Sequence, residues 1–368
     1  MKRREFITRG AAGAAAAGVL TGCNPSTPAA EGAPSVQGKR ITWRLASSFS
    51  PAIDTIYGAA HVLSSRLESM TDGNFKVHVS AAGEIVPGLQ VLDAVESGSV
   101  QVGHTASYYY KGKSLSLVFD TAIPFGLTAR QQLAWLYEGG GLELINRVYS
   151  DFNVVAFPGG NTGTQMGGWF RRDIQSVDDL KGLKMRIPGL GGDVMSRLGV
   201  TVQVIAAPEI YPALERGAID ATEWVGPYDD EKLGFHKVAS HYFHPGWWEP
   251  GPSLSFIVNR KAWDSLPAEY KSAFQAAAHE ACVTMLAKYD ARNPAALRRL
   301  LGGGITVKPF PRDVLDASYA TFNELAAEHR AKDKQYAAIY EQWDAFRKAS
   351  ATWFGYAETS YLNFSTSV

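Results

Sequence analysis

The chain has 368 residues, with 36 lysines and arginines against 36 aspartates and glutamates, so its formal charge is zero. That balance excludes the basic stripe expected of a nucleic-acid binder. With 46 % apolar and 20 % charged residues it is an ordinary globular composition, long enough for two domains.

The first elements concern export. Lys2-Arg3-Arg4-Glu5 precedes an Ala/Gly-rich apolar run ending at Leu20, too short to span a bilayer. The adjacent arginines point to the twin-arginine route. Leu20-Thr21-Gly22-Cys23 resembles a lipobox, which implies a signal peptide over 1–22, cleavage before Cys23 and lipid on its thiol. The alternative is ordinary cleavage near Ala29-Ala30 and a free protein. Residues 23–39, rich in Pro, Ala, Ser and Gly, read as a flexible tether. Without residues 1–22 the charge is 32 basic against 35 acidic. Past Cys23 only Cys282 remains, so no internal disulfide is possible.

From Arg40 strand and helix patterns alternate. Ile41 to Ala46 reads as a strand, and Ile53, Ile56, Tyr57, Ala60, Leu63 and Leu67 mark an amphipathic helix. Phe75, Val77 and Val79 alternate as a strand. A helix around Leu89 to Glu96 stops at Gly98, before a strand at Val100 to His104. After Asn153 the pattern returns, with strands at Val154 to Phe157, Leu183 to Ile187, Val202 to Ile205 and Ile219 to Val225. Helices are predicted between them, and Ser176-Val177-Asp178-Asp179 looks like a capping-box start. This predicts α/β architecture with mostly parallel strands.

Ala94-Val95-Glu96-Ser97-Gly98-Ser99-Val100-Gln101 matches Ala213-Leu214-Glu215-Arg216-Gly217-Ala218-Ile219-Asp220 in residue type at nearly every position. Each reads as a helix end, a glycine cap and the start of a strand. The echo is common to all α/β folds, or it marks two similar lobes around one cleft, as in a periplasmic binding protein. On the second reading lobe I takes residues 40–155 and 253–310, and lobe II takes 156–252. Closure runs about strand crossings at Asn153–Asn161 and Pro250–Phe256. Pro267 opens a long, lobe-spanning helix that Pro294 should kink or break and Gly302-Gly303-Gly304 should end. Residues 311–368 read as aromatic-rich C-terminal helices, packed on the lobes or on a second copy.

The stretch 160–251 holds the chemistry. Arg186 ends an alternating strand, and strand ends of an open α/β sheet face the ligand crevice. Its guanidinium fork suits a carboxylate, or else a structural salt bridge. Gln165 lies among Gly163, Gly167 and Gly168 and offers both an oxygen and an amide donor, unless it only braces the turn. Asn161 is a weaker candidate, because Asn before Thr162-Gly163 is also turn chemistry. Glu223 and Trp224 end the last strand. A buried carboxylate there is costly unless paired or metal-bound. Trp247-Trp248-Glu249 supplies a second carboxylate and two more indoles, Trp247 being taken as a pocket wall. Oxygen ligands favour Na+ or Ca2+ over zinc. His241 and His244 lack companion ligands for zinc. No nucleophile or general base stands beside the set, which suits gripping a small carboxylate better than making bonds.

At these residues the chain resembles the solute-binding proteins of TRAP transporters (DctP type). The resemblance rests on Gly167-Gly168-Trp169-Phe170-Arg171, Val177-Asp178-Asp179-Leu180-Lys181-Gly182-Leu183-Lys184-Met185-Arg186 and Ile210-Tyr211-Pro212-Ala213-Leu214-Glu215. The run Ile219 to Asp230 and Gly246-Trp247-Trp248-Glu249 add to it, and it spans almost the whole mature chain. Trp224-Val225-Gly226-Pro227 and Gly246 to Glu249 resemble the subgroup for 2-oxo acids such as pyruvate, or 2-hydroxy acids such as lactate, held with a metal ion. The resemblance implies a non-enzymatic periplasmic receptor that serves a membrane permease. It implies that Arg186 takes the substrate carboxylate and that Gln165 touches substrate and cation. Glu223, the Trp224 carbonyl and Glu249 would complete the cation site. Tyr108 and Tyr109, in the run Tyr108-Tyr109-Tyr110, would close over the ligand from lobe I. The rivals are an exported metal-dependent lyase or aldolase for keto acids, and a ligand-sensing partner of a receptor.

Overall fold

The computed structural model describes residues 38–367. The expectations for the export signal, Cys23 and most of the tether lie outside the described residues. Among the described residues no helix is long and apolar enough to cross a membrane.

The strands are β1 (Ile41–Ser47), β2 (Phe75–Ser80), β3 (Val102–Thr105), β4 (Val154–Asn161), β5 (Trp169–Phe170), β6 (Lys184–Arg186), β7 (Thr201–Gln203), β8 (Ala221–Thr222), β9 (His241–His244), β10 (Ser253–Asn259) and β11 (Thr306–Pro309). They form two sheets, ordered β2-β1-β3-β10-β4 and β11-β9-β5-β8-β6-β7. β4 and β10 are buried along their whole lengths, as strands covered on both faces must be. The helix Ile56–Met70 covers β2 and the long helix Ala268–Gly302 covers β4.

The architecture is α/β, with five of its nine strand pairings parallel and four antiparallel. β1 pairs in parallel with β2 and β3, whereas β10 runs antiparallel to both β3 and β4. In the second sheet β5 is antiparallel to β8 and β9. β10 is the strand on which the chain comes back from the second lobe, so it enters the first sheet from the cleft end. β4 and β10 are the two crossings, and their ladder ends at Ser253 opposite Asn161.

The repeated octapeptide folds alike in both lobes. Gly98 and Gly217 have φ of 77° and 70°, the left-handed cap that glycine adopts without strain. Val100 N–H donates to Ala94 and Ala218 N–H to Ala213, wrapping each helix end. Gln101 N–H then donates to the Arg44 carbonyl of β1, and Asp220 N–H to the Lys184 carbonyl of β6. One sequence device thus aims a strand at the cleft from each side.

Two expectations for the return segment change. The helix Ala268–Gly302 runs through Pro294 unbroken. Pro294 and Asp290, whose carbonyl loses its helical donor, are exposed, so water can satisfy that carbonyl, while buried Tyr289 and Ala296 hold the helix on either side. Past Gly303, β11 pairs with β9 of the second sheet. The chain therefore leaves lobe I before residue 306, not after 310. The long helix touches the helix Ile56–Met70 of one lobe and Pro227–Leu233 of the other.

The tail straddles both lobes. The helix Arg312–Lys332 docks on lobe II, where Arg197 forks onto Glu328 with two bonds of 2.7 Å. The helix Lys334–Phe354, capped by Asp333, docks on lobe I. Tyr336 and Trp343 pack against Phe119, and Gln342 accepts the Trp135 indole N–H at 2.6 Å. Beyond Phe354 the apolar side chains turn outward, with Tyr356 80 % and Phe364 68 % exposed.

Candidate functional site

The second sheet positions the charged groups. Arg186 is the last residue of β6, and the Arg186 carbonyl accepts Glu223 N–H at 3.3 Å just past the end of β8. Both side chains are about 1 % exposed and pair directly. Arg186 Nε also donates to the Ile205 carbonyl at 3.3 Å, and the guanidinium lies 5.4 Å from the Trp224 ring centroid. Arg186 is thus both a buried ion-pair partner and a pocket residue. The crossing segments are stitched together, since Gln165 N–H donates to the Glu249 carbonyl and Gly246 N–H to the Gln165 carbonyl. This brings Glu249 beside Gln165, whose Nε2 donates to the Thr162 hydroxyl at 3.2 Å and whose Oε1 has no partner among the described residues.

One pocket, of at most about 310 Å³, is lined by Tyr108, Tyr109, Gln165, Arg186, Glu223, Trp224 and Glu249. Even that upper bound only reaches the low end for ligand pockets, so the guest is small. Tyr110 is not in it: its hydroxyl meets Thr105 at 2.8 Å and accepts Leu92 N–H. Two expected residues are also elsewhere. Asn161 donates to the Gly251 carbonyl and accepts Gly163 N–H, so both ends of its amide are spent bracing the crossing. Trp247 stacks on Phe125 at 5.0 Å, away from the pocket lining. Sequence reasoning missed Phe49, Ile56 and Leu254, which line the pocket from lobe I. Apolar lining carries the same signal as core, so nothing in the sequence marked them.

The electrostatics decide what the pocket can hold. Two carboxylates against one guanidinium leave it one negative charge in excess when both are ionised. Burial pushes the Glu223 carboxyl up to about 7, against the opposing pull of Arg186. Burial and the Glu223 charge push Glu249 well above the usual carboxylate range, with Arg186, Tyr108 and Gln165 pulling the other way. An anionic guest alone would worsen the excess, whereas Na+ taken up with it would hold the charge constant and Ca2+ would cancel it. The donor set fits a hard cation: two carboxylates, the unpartnered Gln165 Oε1 and the Trp224 carbonyl, which accepts no hydrogen bond among the described residues. Among the described residues no cluster of three or more His, Cys, Asp or Glu forms, so a cation here depends on these neutral oxygens.

The cleft is clasped at both rims. Asp54 of lobe I pairs with Lys232 and Lys288 and accepts the Tyr228 hydroxyl at 3.1 Å. On the other rim Lys111 pairs with Asp193 and donates to the Gly189 carbonyl at 3.0 Å. The Asp54 side chain is 43 % exposed, so its pairs are screened and individually weak. Asp54→Asn is expected to raise the ligand dissociation rate about three- to tenfold, with the difference narrowing at high salt. Stopped-flow fluorescence of the cleft tryptophans checks it, and an unchanged rate would remove Asp54 from closure.

The chain is similar to known proteins along most of its length. The family model described as bacterial extracellular solute-binding protein, family 7 (DctP) matches residues 46–333. A monocarboxylate 2-oxoacid-binding periplasmic protein of Nostoc is 52 % identical over the full length of both chains. A TRAP transporter solute-binding protein from Bordetella bronchiseptica is 48 % identical with a TM-score of 0.89, covering 90 % of this chain and 98 % of its own. That structure is a mixed-occupancy dimer with calcium and picolinate in one site. A TRAP periplasmic solute-binding protein from Pseudoalteromonas atlantica, with bound sodium and pyruvate, is 42 % identical with a TM-score of 0.86, covering 88 % of this chain and 99 % of its own.

Proposed function

Because the chain belongs to family 7 of the bacterial extracellular solute-binding proteins, the DctP family, we propose that it captures a small 2-oxo or 2-hydroxy monocarboxylate together with one Na+ or Ca2+ and passes it to a TRAP permease. The observation that carries this reading is the buried Arg186, Glu223 and Glu249 set, with its unpartnered Gln165 oxygen, in a small pocket between two lobes. Arg186 receives the ligand carboxylate. Tyr108 and Tyr109 close on it from lobe I. Glu223, Glu249, Gln165 Oε1 and the Trp224 carbonyl would hold the cation, whose charge would offset that of carboxylates that burial otherwise protonates. The relatives that bind pyruvate or picolinate with sodium or calcium support this guest.

The finer assignments are part of the same proposal. The protein works in the periplasm, lipid-anchored through Cys23. It pairs with a second copy through the C-terminal end, where Trp353, Tyr356, Tyr361, Leu362 and Phe364 face outward.

Native mass spectrometry of protein extracted from membranes tests these together. The expected spectrum is a dimer carrying diacylglyceryl mass, with one small carboxylate and one cation per subunit. A protein that takes up neither pyruvate nor lactate with calcium or sodium present would overturn the functional reading. An unmodified or monomeric species would remove only the anchor or the dimer.

A further inference from the structure

The pocket has two chemically distinct sides. Every charged group that lines it, Arg186, Glu223 and Glu249, comes from residues 186–249 of the second lobe and its return crossing. Apart from the phenols of Tyr108 and Tyr109, the opposing side is Phe49, Ile56, Ala106 and Leu254. A ligand whose carboxylate and neighbouring oxygen face the charged side must turn its carbon tail to these residues. We infer that Phe49, Ile56 and Leu254 form a fixed wall that selects the tail, admitting a short uncharged chain and refusing a second carboxylate. This rests on the proposed grip of the 2-oxo acid by Arg186 and the cation.

The wall is held rigidly. Phe49 N–H donates to Ser47 Oγ at 3.2 Å, its carbonyl accepts Ala82 N–H at 3.0 Å, and its ring meets the edge of His104 at 5.3 Å. Ile56 begins its helix next to Thr55, whose hydroxyl donates across the cleft to Asp229 at 2.6 Å. Leu254 sits at the bulge of β10, beside Ser255, whose hydroxyl donates to Asp120 at 2.7 Å. Ile56 and Leu254 sit on a helix and a strand, and Phe49, two residues past β1, is held by its backbone bonds to Ser47 and Ala82, so the wall does not yield to an oversized guest as a free loop would.

No cation at this wall can pair with a second carboxylate, and the phenols of Tyr108 and Tyr109 on that side are neutral donors. His104, between Phe49 and Phe256, is fully buried with both ring nitrogens unpartnered, and burial drives its pKa down to about 3, so it stays neutral. Asp120, behind Ser255, is itself an acid. Lys232 and Lys288 reach Asp54, two residues before Ile56, but are committed to it. A tail carboxylate would therefore be buried without a partner, the costly case. An aliphatic tail gains about fourfold per buried methylene until the wall is met.

Calorimetry in saturating calcium tests this with pyruvate, 2-oxobutyrate, 2-oxoisovalerate and oxaloacetate as probes, on the wild type, Ile56→Ala and Phe49→Leu. The wild type should bind oxaloacetate at least about 100-fold more weakly than 2-oxobutyrate, which is similar in length. Opening the wall in either variant should raise the affinity of 2-oxoisovalerate relative to pyruvate by about tenfold, a ratio that general destabilisation does not move. The gentler Phe49→Leu provides the reading if Ile56→Ala fails to fold. Oxaloacetate binding within a few-fold of 2-oxobutyrate, or a ratio unmoved in both variants, would overturn the wall. If the wild type binds all four alike, the wall falls and the carboxylate grip stands. If it binds none, both fall.

Discussion

Replacing Arg186 with alanine is expected to weaken 2-oxo acid binding by about 2–5 kcal/mol, or about 30- to 4,000-fold in Kd. Two losses combine. The ligand carboxylate forfeits its forked partner, and Glu223 loses the cation it touches directly. Glu223 and Glu249 would then share the pocket with no protein cation, and at least one should hold a proton at neutral pH. The defect in Arg186→Ala should therefore be deepest at low pH and partly relieved by raising calcium. Arg186→Lys restores charge without the fork and should recover only part of the loss. Calorimetry at two pH values reads all of this, and near-normal affinity in Arg186→Ala would remove Arg186 from the site.

Stripping the cation is expected to lower 2-oxo acid affinity at least about 100-fold, reversibly on adding calcium or sodium. The sign of the pH dependence follows from the raised carboxyls. Burial holds Glu223 at about 7, above its ordinary 4.5, so the cation must displace a proton below that pH. Cation affinity should climb with pH, about tenfold per unit for each proton displaced, and the Glu223 share of that slope should end near pH 7. Calorimetry in buffers of different ionisation enthalpy should detect the released proton. For the stripped protein the linkage runs the other way. Between about pH 4.5 and 7 the folded state binds more protons at Glu223 than the unfolded chain does, so this group favours folding at low pH and the benefit is lost as pH rises. The melting-temperature gap between calcium-loaded and stripped protein should therefore widen from pH 5 to pH 8. A constant gap would show that the cation does not meet these carboxylates.

Much of the fold was legible where a local pattern carries its own physics. The alternation in Leu183 to Ile187 contains β6, and the octapeptide echo gave both glycine-capped turns toward the cleft. Three strands were not legible. β5 has two residues, too short to show a period, and β9 and β11 exist through pairing with each other across more than 60 residues of chain. The unbroken helix at Pro294 likewise depended on which face was exposed.

At the site, residue types were readable and convergence was not. The sequence determined that one arginine, two glutamates, a glutamine and a run of tyrosines would be offered at strand ends and turns, because side-chain charge and hydrogen-bonding capacity belong to the residue. The tertiary structure decided which of them meet. It turned Tyr108 and Tyr109 inward and Tyr110 away, spent Asn161 on the Gly251 carbonyl, and stacked Trp247 on Phe125. It set Arg186 against Glu223 and enlisted Phe49, Ile56 and Leu254 as pocket wall. Those outcomes depend on distance and desolvation, which arise only when segments far apart in the chain pack together.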